Sequence, residues 1–217
     1  MSGSTLAELA ALVERQAGGD GRHPTAIGAL SLSRYSKPTE PVMAVCGPSL
    51  CLVAGGRKRV ILGDEMYTYD PARFLLASVA LPVAGQVVEA SPAAPYLALR
   101  IGLDPGHVAE LIAEAGPVEP ADPAPARGLA ISPVEPPLLD AVVRLVRLLD
   151  APREIGVLGP LVLREITYRL LLGEQGPRLR QIAAVDGGPA GSPGRSAGSR
   201  TTSPSRSGSK AWPARSG

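Results

Sequence analysis

Residues 51–103 read CLVAGGRKRVILGDEMYTYDPARFLLASVALPVAGQVVEASPAAPYLALRIGL. Short apolar or alternating runs are interrupted by Gly, Asp or Pro every eight to twelve residues, the pattern of antiparallel strands in a barrel or sandwich. The reading places strands at Arg59 to Leu62, Tyr67 to Tyr69, Phe74 to Val79, Gln86 to Glu89 and Tyr96 to Leu103. Turns fall at Gly63-Asp64-Glu65, Asp70-Pro71, Pro82, Gly85 and Ser91-Pro92. Gly55-Gly56 lies between two strand runs and reads as a hairpin turn. The basic run Arg57-Lys58-Arg59 beside it reads as a solvated hairpin able to meet an anion. Upstream, Leu30 to Ser33 alternates like a first strand, and Val42 to Val53 is a strand pair or bent strand broken at Gly47-Pro48. About eight strands result, enough to close a barrel or two-sheet jelly roll around a small cavity.

On both sides the period changes. Thr5-Leu6-Ala7-Glu8 has the form of a capping box, and Leu6, Leu9, Ala10, Leu12 and Val13 follow at helical spacing until Gly18-Gly19-Asp20-Gly21. After the strands, Asp104-Pro105 is an N-cap and N1 pair for a short helix carrying Val108, Leu111 and Ile112. Gly116 to Pro125 reads as a surface loop. Pro136 to Asp150 is amphipathic, with Leu138, Val142, Leu145, Val146 and Leu149 on one stripe. Arg153 to Leu172 is a second helix, with Leu158, Leu161, Glu165, Tyr168 and Leu172 on one face and Gly173 at its end. A third starts near Pro177 with Leu179 and Ile182. From Val185 onward 19 of 33 residues are Gly, Ser or Pro, a composition that buries too little apolar surface to order itself.

Charge and chemistry narrow the classes. The formal net charge of +2 conceals a segment of net +4 over residues 185–217, so a basic balance says nothing about the folded body. The two cysteines, Cys46 and Cys51, match no common metal spacing and read as small apolar residues of a strand or its edge. A redox pair is the sharper reading, against which the missing secretory context weighs. No signal peptide and no membrane span of roughly 20 apolar residues is evident, so a cytoplasmic location is expected. His23 reads as a loop residue and His107 as a first-turn helix residue. Two histidines outside the core strands leave no three-histidine metal site, which argues against a metal-dependent enzyme, and no catalytic residue, metal or cofactor is expected. No nucleophile elbow, phosphate loop or dinucleotide fingerprint stands where its chemistry requires. For ligand contact the candidates are Tyr67, Tyr69, Tyr96 and Arg100. Aromatic bodies with polar tips and one guanidinium suit an organic acid or aromatic effector. Glu165, if buried, needs a partner such as Arg144 or Arg147.

The run from Ser49-Leu50-Cys51-Leu52-Val53 through Gly56-Arg57-Lys58-Arg59-Val60, Leu62-Gly63-Asp64-Glu65 and Tyr67-Thr68-Tyr69-Asp70-Pro71 resembles the N-terminal region of AraC-type transcription regulators. The likeness continues through Ser78-Val79, Leu81-Pro82-Val83, Glu89-Ala90-Ser91 and Pro95-Tyr96-Leu97. It extends into Leu145 to Leu149 and Leu163 to Leu171, spanning about residues 25–183. The whole reads as an α+β chain, with a helix over 1–20 and a disordered tail over 185–217 from the residues themselves; the resemblance implies a cupin-like antiparallel β-barrel (jelly roll) over 25–104 and two to three packed helices over 105–183. It further implies an effector-sensing and dimerisation module, with an unknown small-molecule effector and a homodimer, or a heterodimer with a related regulator. The candidate dimer stripe is Leu138, Val142, Leu145 and Leu149. Such regulators read DNA through a C-terminal region with two helix-turn-helix motifs, and residues 185–217 hold nothing like it. The sequence therefore reads as a regulator truncated or frame-shifted before that region. The alternatives are a free-standing ligand-binding cupin and, less favoured, a cupin enzyme.

Overall fold

A computed structural model describes residues 2–71, 73–116 and 128–186. The expected loop over 116–125 and tail over 185–217 lie almost wholly outside the described residues. Helix α1 (Ser2–Ala17) comes first, followed by strands β1 (Gly21–Pro24), β2 (Leu30–Tyr35), β3 (Val42–Cys46), β4 (Ser49–Gly55) and β5 (Arg57–Leu62). Then come β6 (Glu65–Tyr69), β7 (Arg73–Ala77), β8 (Leu81–Glu89) and β9 (Tyr96–Gly102). Helix α2 (Pro105–Ala115), strand β10 (Leu129–Pro133) and helices α3 (Pro136–Arg147), α4 (Ile155–Leu172) and α5 (Gly176–Asp186) complete the described chain.

The strands form two antiparallel sheets, one in the order β1-β2-β9-β4-β7-β10 and one in the order β3-β8-β5-β6. The α+β class and the antiparallel body agree with the sequence reading. The arrangement is a two-sheet, barrel-like sandwich, and its strand order does not establish a jelly roll. Strict alternation divides the larger sheet into two chemical faces. In β9, Leu97, Leu99 and Ile101 join Leu50 and Leu52 of β4 and Leu9, Leu12 and Val13 of α1 in one core. Tyr96 and Ala98 point the other way, with Val53, Leu75, Val60, Val83 and Val87, into a second core between the sheets. Helix α1 packs directly on β2, β4 and β9, α3 packs on α1, and α4 packs on α3. The helices thus cover the outer face of the six-stranded sheet rather than a barrel mouth.

Several local expectations are corrected. The N-terminal helix starts at Ser2, ahead of the proposed cap, and the Glu8 carboxylate reaches across to Arg147 at 2.5 Å instead of folding back. His23 lies in β1, with Nε2 2.9 Å from the Gly19 carbonyl, not in a loop. Asp104 does cap α2, accepting the His107 N–H at 3.0 Å. Gly55-Gly56 is not a hairpin turn, because β4 and β5 belong to different sheets. Gly56 is where the chain crosses between them, at φ +74° and pressed against the Glu89 carbonyl and Tyr96 Cα.

The helical stripes also part ways. Leu138, Val142 and Leu145 are fully buried within this chain, and Leu149 is partly buried against the same core. The amphipathic face of α3 packs against α1 and α4. On α4 the buried residues are Ile166, Thr167, Leu170 and Leu171. The stripe read from its sequence faces outward instead.

Candidate functional site

Between the sheets lies a cavity of about 300 Å³. Its walls are mostly apolar: Val60, Val83 and Val87 from one sheet, Leu75 and the aromatic rings of Tyr35 and Tyr96 from the other. Three of the four residues proposed for ligand contact line it, namely Tyr69, Tyr96 and Arg100. Tyr67 shares the face of Tyr69 on β6, but its hydroxyl donates to Glu65 and it lies outside the lining.

The cations come from three strands. Arg100 of β9 stands opposite Ser31 and Cys51 on its two neighbours and donates from Nη2 to the Gly47 carbonyl at 3.4 Å. Lys58 of β5 and Arg22 of β1 share the lining. No carboxylate does, among the described residues. Arg22 is held by Ser31 Oγ at 3.2 and 3.3 Å. A cationic group facing an apolar cavity without a paired acid is left to water or to an incoming anion.

The tyrosines contribute neutral hydroxyls. Burial pushes the phenols of Tyr69 and Tyr96 well above the ordinary tyrosine range, with neighbouring acidic groups adding to the shift. The Tyr35 and Tyr96 rings sit 6.3 Å apart and tilted by 41°, an arrangement suited to an aromatic or aliphatic body beside them.

Cys46 and Cys51 share this lining, one at the end of β3 and the other within β4. Cys46 Sγ is 3.6 Å from Ser49 Oγ and 3.7 Å from the Gly47 carbonyl. The hydrogen bond from Cys51 is the main reason the Cys46 thiol is lowered to about 5, helped by Ser49, Arg100 and Lys58 against the opposing effect of burial. The same hydrogen bond, with burial, pushes the Cys51 thiol up.

Sequence reasoning missed Lys58 and the cysteines as cavity residues. The signal for Lys58 was its place in the alternation of β5: Lys58 and Val60 share one side of the strand, away from Arg57 and Arg59. Arg57 instead meets Glu89 at 3.5 Å. For the cysteines the signal was a tight Gly-Pro turn between two strand ends. A second hollow of about 200 Å³ lies where β10, the start of α3 and the α4–α5 turn meet. Three of its polar side chains are joined to one another, Ser132 Oγ donating to Glu174 at 2.9 Å and accepting from Gln175 at 2.6 Å. Among the described residues no helix is long and apolar enough to cross a membrane, and no group of three His, Cys, Asp or Glu stands ready for a metal.

No curated protein matches the sequence. Among solved structures, ToxT from Vibrio cholerae strain SCE256 with an unsaturated fatty acid bound is 7% identical with a TM-score of 0.44, over 69% of this chain and 55% of that one. ToxT from Vibrio cholerae O395 is 7% identical over 68% and 58%, with a TM-score of 0.39. The AraC-like transcriptional activator CuxR is 12% identical over 72% and 53%, with a TM-score of 0.36. The chain spans little more than half the length of these structures, and nothing below rests on such distant likenesses. The family described as AraC-type transcriptional regulator N-terminus matches residues 26–178, most of the folded body and both of its sheets. With that span matched, the chain belongs to the AraC-type transcriptional regulators, in the N-terminal region of that family.

Proposed function

We propose that this chain is the sensory module of such a regulator, and that it binds a small apolar carboxylic acid between its two sheets. The observation that carries the reading is the pairing of an apolar cavity with Arg22, Lys58 and Arg100 and no lining acid. The acid group lies against Arg100 and Lys58, and the apolar body lies against Val60, Val87 and the tyrosine rings. At about 300 Å³ the cavity is at the small end of ligand sites. The six-stranded sheet stands between the cavity and the helices: Tyr96 and Arg100 of β9 line the cavity while Leu97, Leu99 and Ile101 of the same strand join α1's core. An effector that favours one sheet position thereby biases the helical layer.

A panel of medium-chain fatty acids and aromatic acids, each beside its uncharged alcohol or amide, tests this by titration calorimetry. At least one acid is expected to bind, with its neutral partner weaker by about tenfold or more, since a charge-assisted hydrogen bond contributes about 1.5–3 kcal/mol. Equal binding of acids and neutral partners sinks the reading.

A specific observation also favours pairing through α4. Leu158, Leu161, Glu165, Tyr168 and Leu172 step along one side by alternating threes and fours, the spacing of a coiled-coil seam. Leu161 is 59% and Leu172 58% exposed, with Val157 at 70% beside them. Glu165, in mid-stripe, is held by Arg144 at 2.7 Å and Arg169 at 2.7 Å. The hydrogen bonds from Arg144 and then Arg169 hold its carboxyl below the usual range, so it remains charged and paired. We place the dimer seam here rather than on the buried stripe of α3. Leu161→Asp is expected to convert a dimer to a monomer in light scattering while leaving the circular dichroism unchanged. A dimer that persists in this variant removes α4 from the interface.

A further inference from the structure

We propose that Cys46 and Cys51 form an oxidisable dithiol in the wall of the cavity, with Cys46 as the attacking sulfur and Cys51 as the resolving one, closed to a disulfide by hydroperoxides. The inference goes beyond effector binding and does not depend on which acid binds.

The geometry supplies the three things such a pair requires. First, the two cysteines line the same cavity and each shifts the titration of the other, although they belong to different sheets. Gly47-Pro48 carries the chain between Cys46 at the end of β3 and Cys51 in β4, and both side chains face the one cavity. Second, both are free and both are partly accessible from the cavity, which a small peroxide can enter. Third, the surroundings distinguish the two. Cys46 has Ser49 Oγ within 3.6 Å and shares the cavity with Lys58 from β5 and Arg100 from β9. Arg22 of β1 adds a further positive charge to the lining, and Tyr69 and Tyr96 face it as neutral phenols. Reactive cysteines sit in partly exposed, electropositive surroundings of this kind, whereas structural ones do not. The lowered Cys46 thiol and the raised Cys51 thiol agree with this division of roles.

The chemistry balances without a further reagent. The Cys46 thiolate attacks one oxygen of the hydroperoxide, the O–O bond breaks, and the departing oxygen takes a proton to leave as water or an alcohol. Cys46 is then a sulfenic acid. The Cys51 sulfur attacks that sulfur, the S–O bond breaks, and the hydroxyl leaves as water with the Cys51 proton. Two thiols are oxidised to one disulfide while the peroxide accepts two electrons. The product ties the last residue of β3 to β4 and fixes the spacing of the sheets at the cavity.

The test uses the full chain, reduced and desalted, with hydrogen peroxide as the probe near neutral pH. Expected are the joint loss of both titratable thiols, a mass decrease of two hydrogens, a Cys46–Cys51 cross-link in the unreduced peptide map, and recovery with dithiothreitol. Cys51→Ser should stop at a sulfenic acid on Cys46 that dimedone captures, and Cys46→Ser should react more slowly by about tenfold or more. Should either variant fail to fold by circular dichroism, the wild-type peptide map decides alone. Thiols that survive excess peroxide, a cross-link between chains in place of the internal one, or capture of sulfenic acid on Cys51 first would each overturn the proposal.

Discussion

Replacing Arg100 by alanine is expected to weaken binding of an apolar carboxylate by about ten- to a hundredfold, and to leave its neutral alcohol unaffected. The guanidinium occupies the middle of the six-stranded sheet, between β2 and β4, and only the Gly47 carbonyl engages it among the described residues. A carboxylate docked against it gains a charge-assisted contact in a largely apolar enclosure, where such contacts contribute about 1.5–3 kcal/mol. Lys58→Ala should cost less, since an ammonium on a flexible stem lacks the fixed fork of Arg. Titration calorimetry of acid and alcohol against both variants checks this. An unchanged acid affinity in Arg100→Ala would move the recognition elsewhere in the cavity.

The second large effect is on stability. Gly56→Val is expected to lower the free energy of unfolding by about 3 kcal/mol or more, a large part of the roughly 5–15 kcal/mol that holds a domain folded. At φ +74° a β-branched side chain is strained, and its Cβ would overlap the Glu89 carbonyl and stand 3.0 Å from Tyr96 Cα. Neither obstacle is the free end of a side chain, so neither can yield. Gly63 offers the control, with φ +57° and open space around it. Gly63→Val should cost only about 1–2 kcal/mol, the strain of the left-handed backbone by itself. Urea midpoints of the two variants separate strain from collision, and equal losses would show that collision at Gly56 is relieved by a shift of the strands.

How far the sequence could be read follows from what each signal measures. Turn residues mark where strands end, so β5, β6, β7 and β9 lie within two residues of where the sequence puts them, whereas Pro82 and Gly85, read as turns, fall inside β8. A turn does not reveal whether the next strand pairs with the last. Gly47-Pro48, Gly55-Gly56 and Asp70-Pro71 all look like local reversals, and each instead sends the chain to the other sheet. Strand β1, of sequence Gly-Arg-His-Pro, has no apolar alternation to detect, and Leu129–Pro133 is a short edge strand behind a proline-rich stretch. Helical period found the stripes of α3 and α4 alike, yet it cannot say which stripe the chain itself will cover. The tyrosines and Arg100 were legible because strand alternation groups them. Lys58 was obscured by arginines on both sides, and the cysteines by their ordinariness as small residues.

The repeated crossing between sheets has a consequence in time. Leu30 pairs with Ile101 and Leu50 with the same residue, so β2 and β4 both wait for β9. Contacts so distant along the chain close slowly, typically in milliseconds to seconds. During synthesis the ribosome releases the apolar strands β2 and β4 long before the strand that shields them exists. The cavity between the sheets, walled in part by β9, is therefore complete only once that strand has joined both of them.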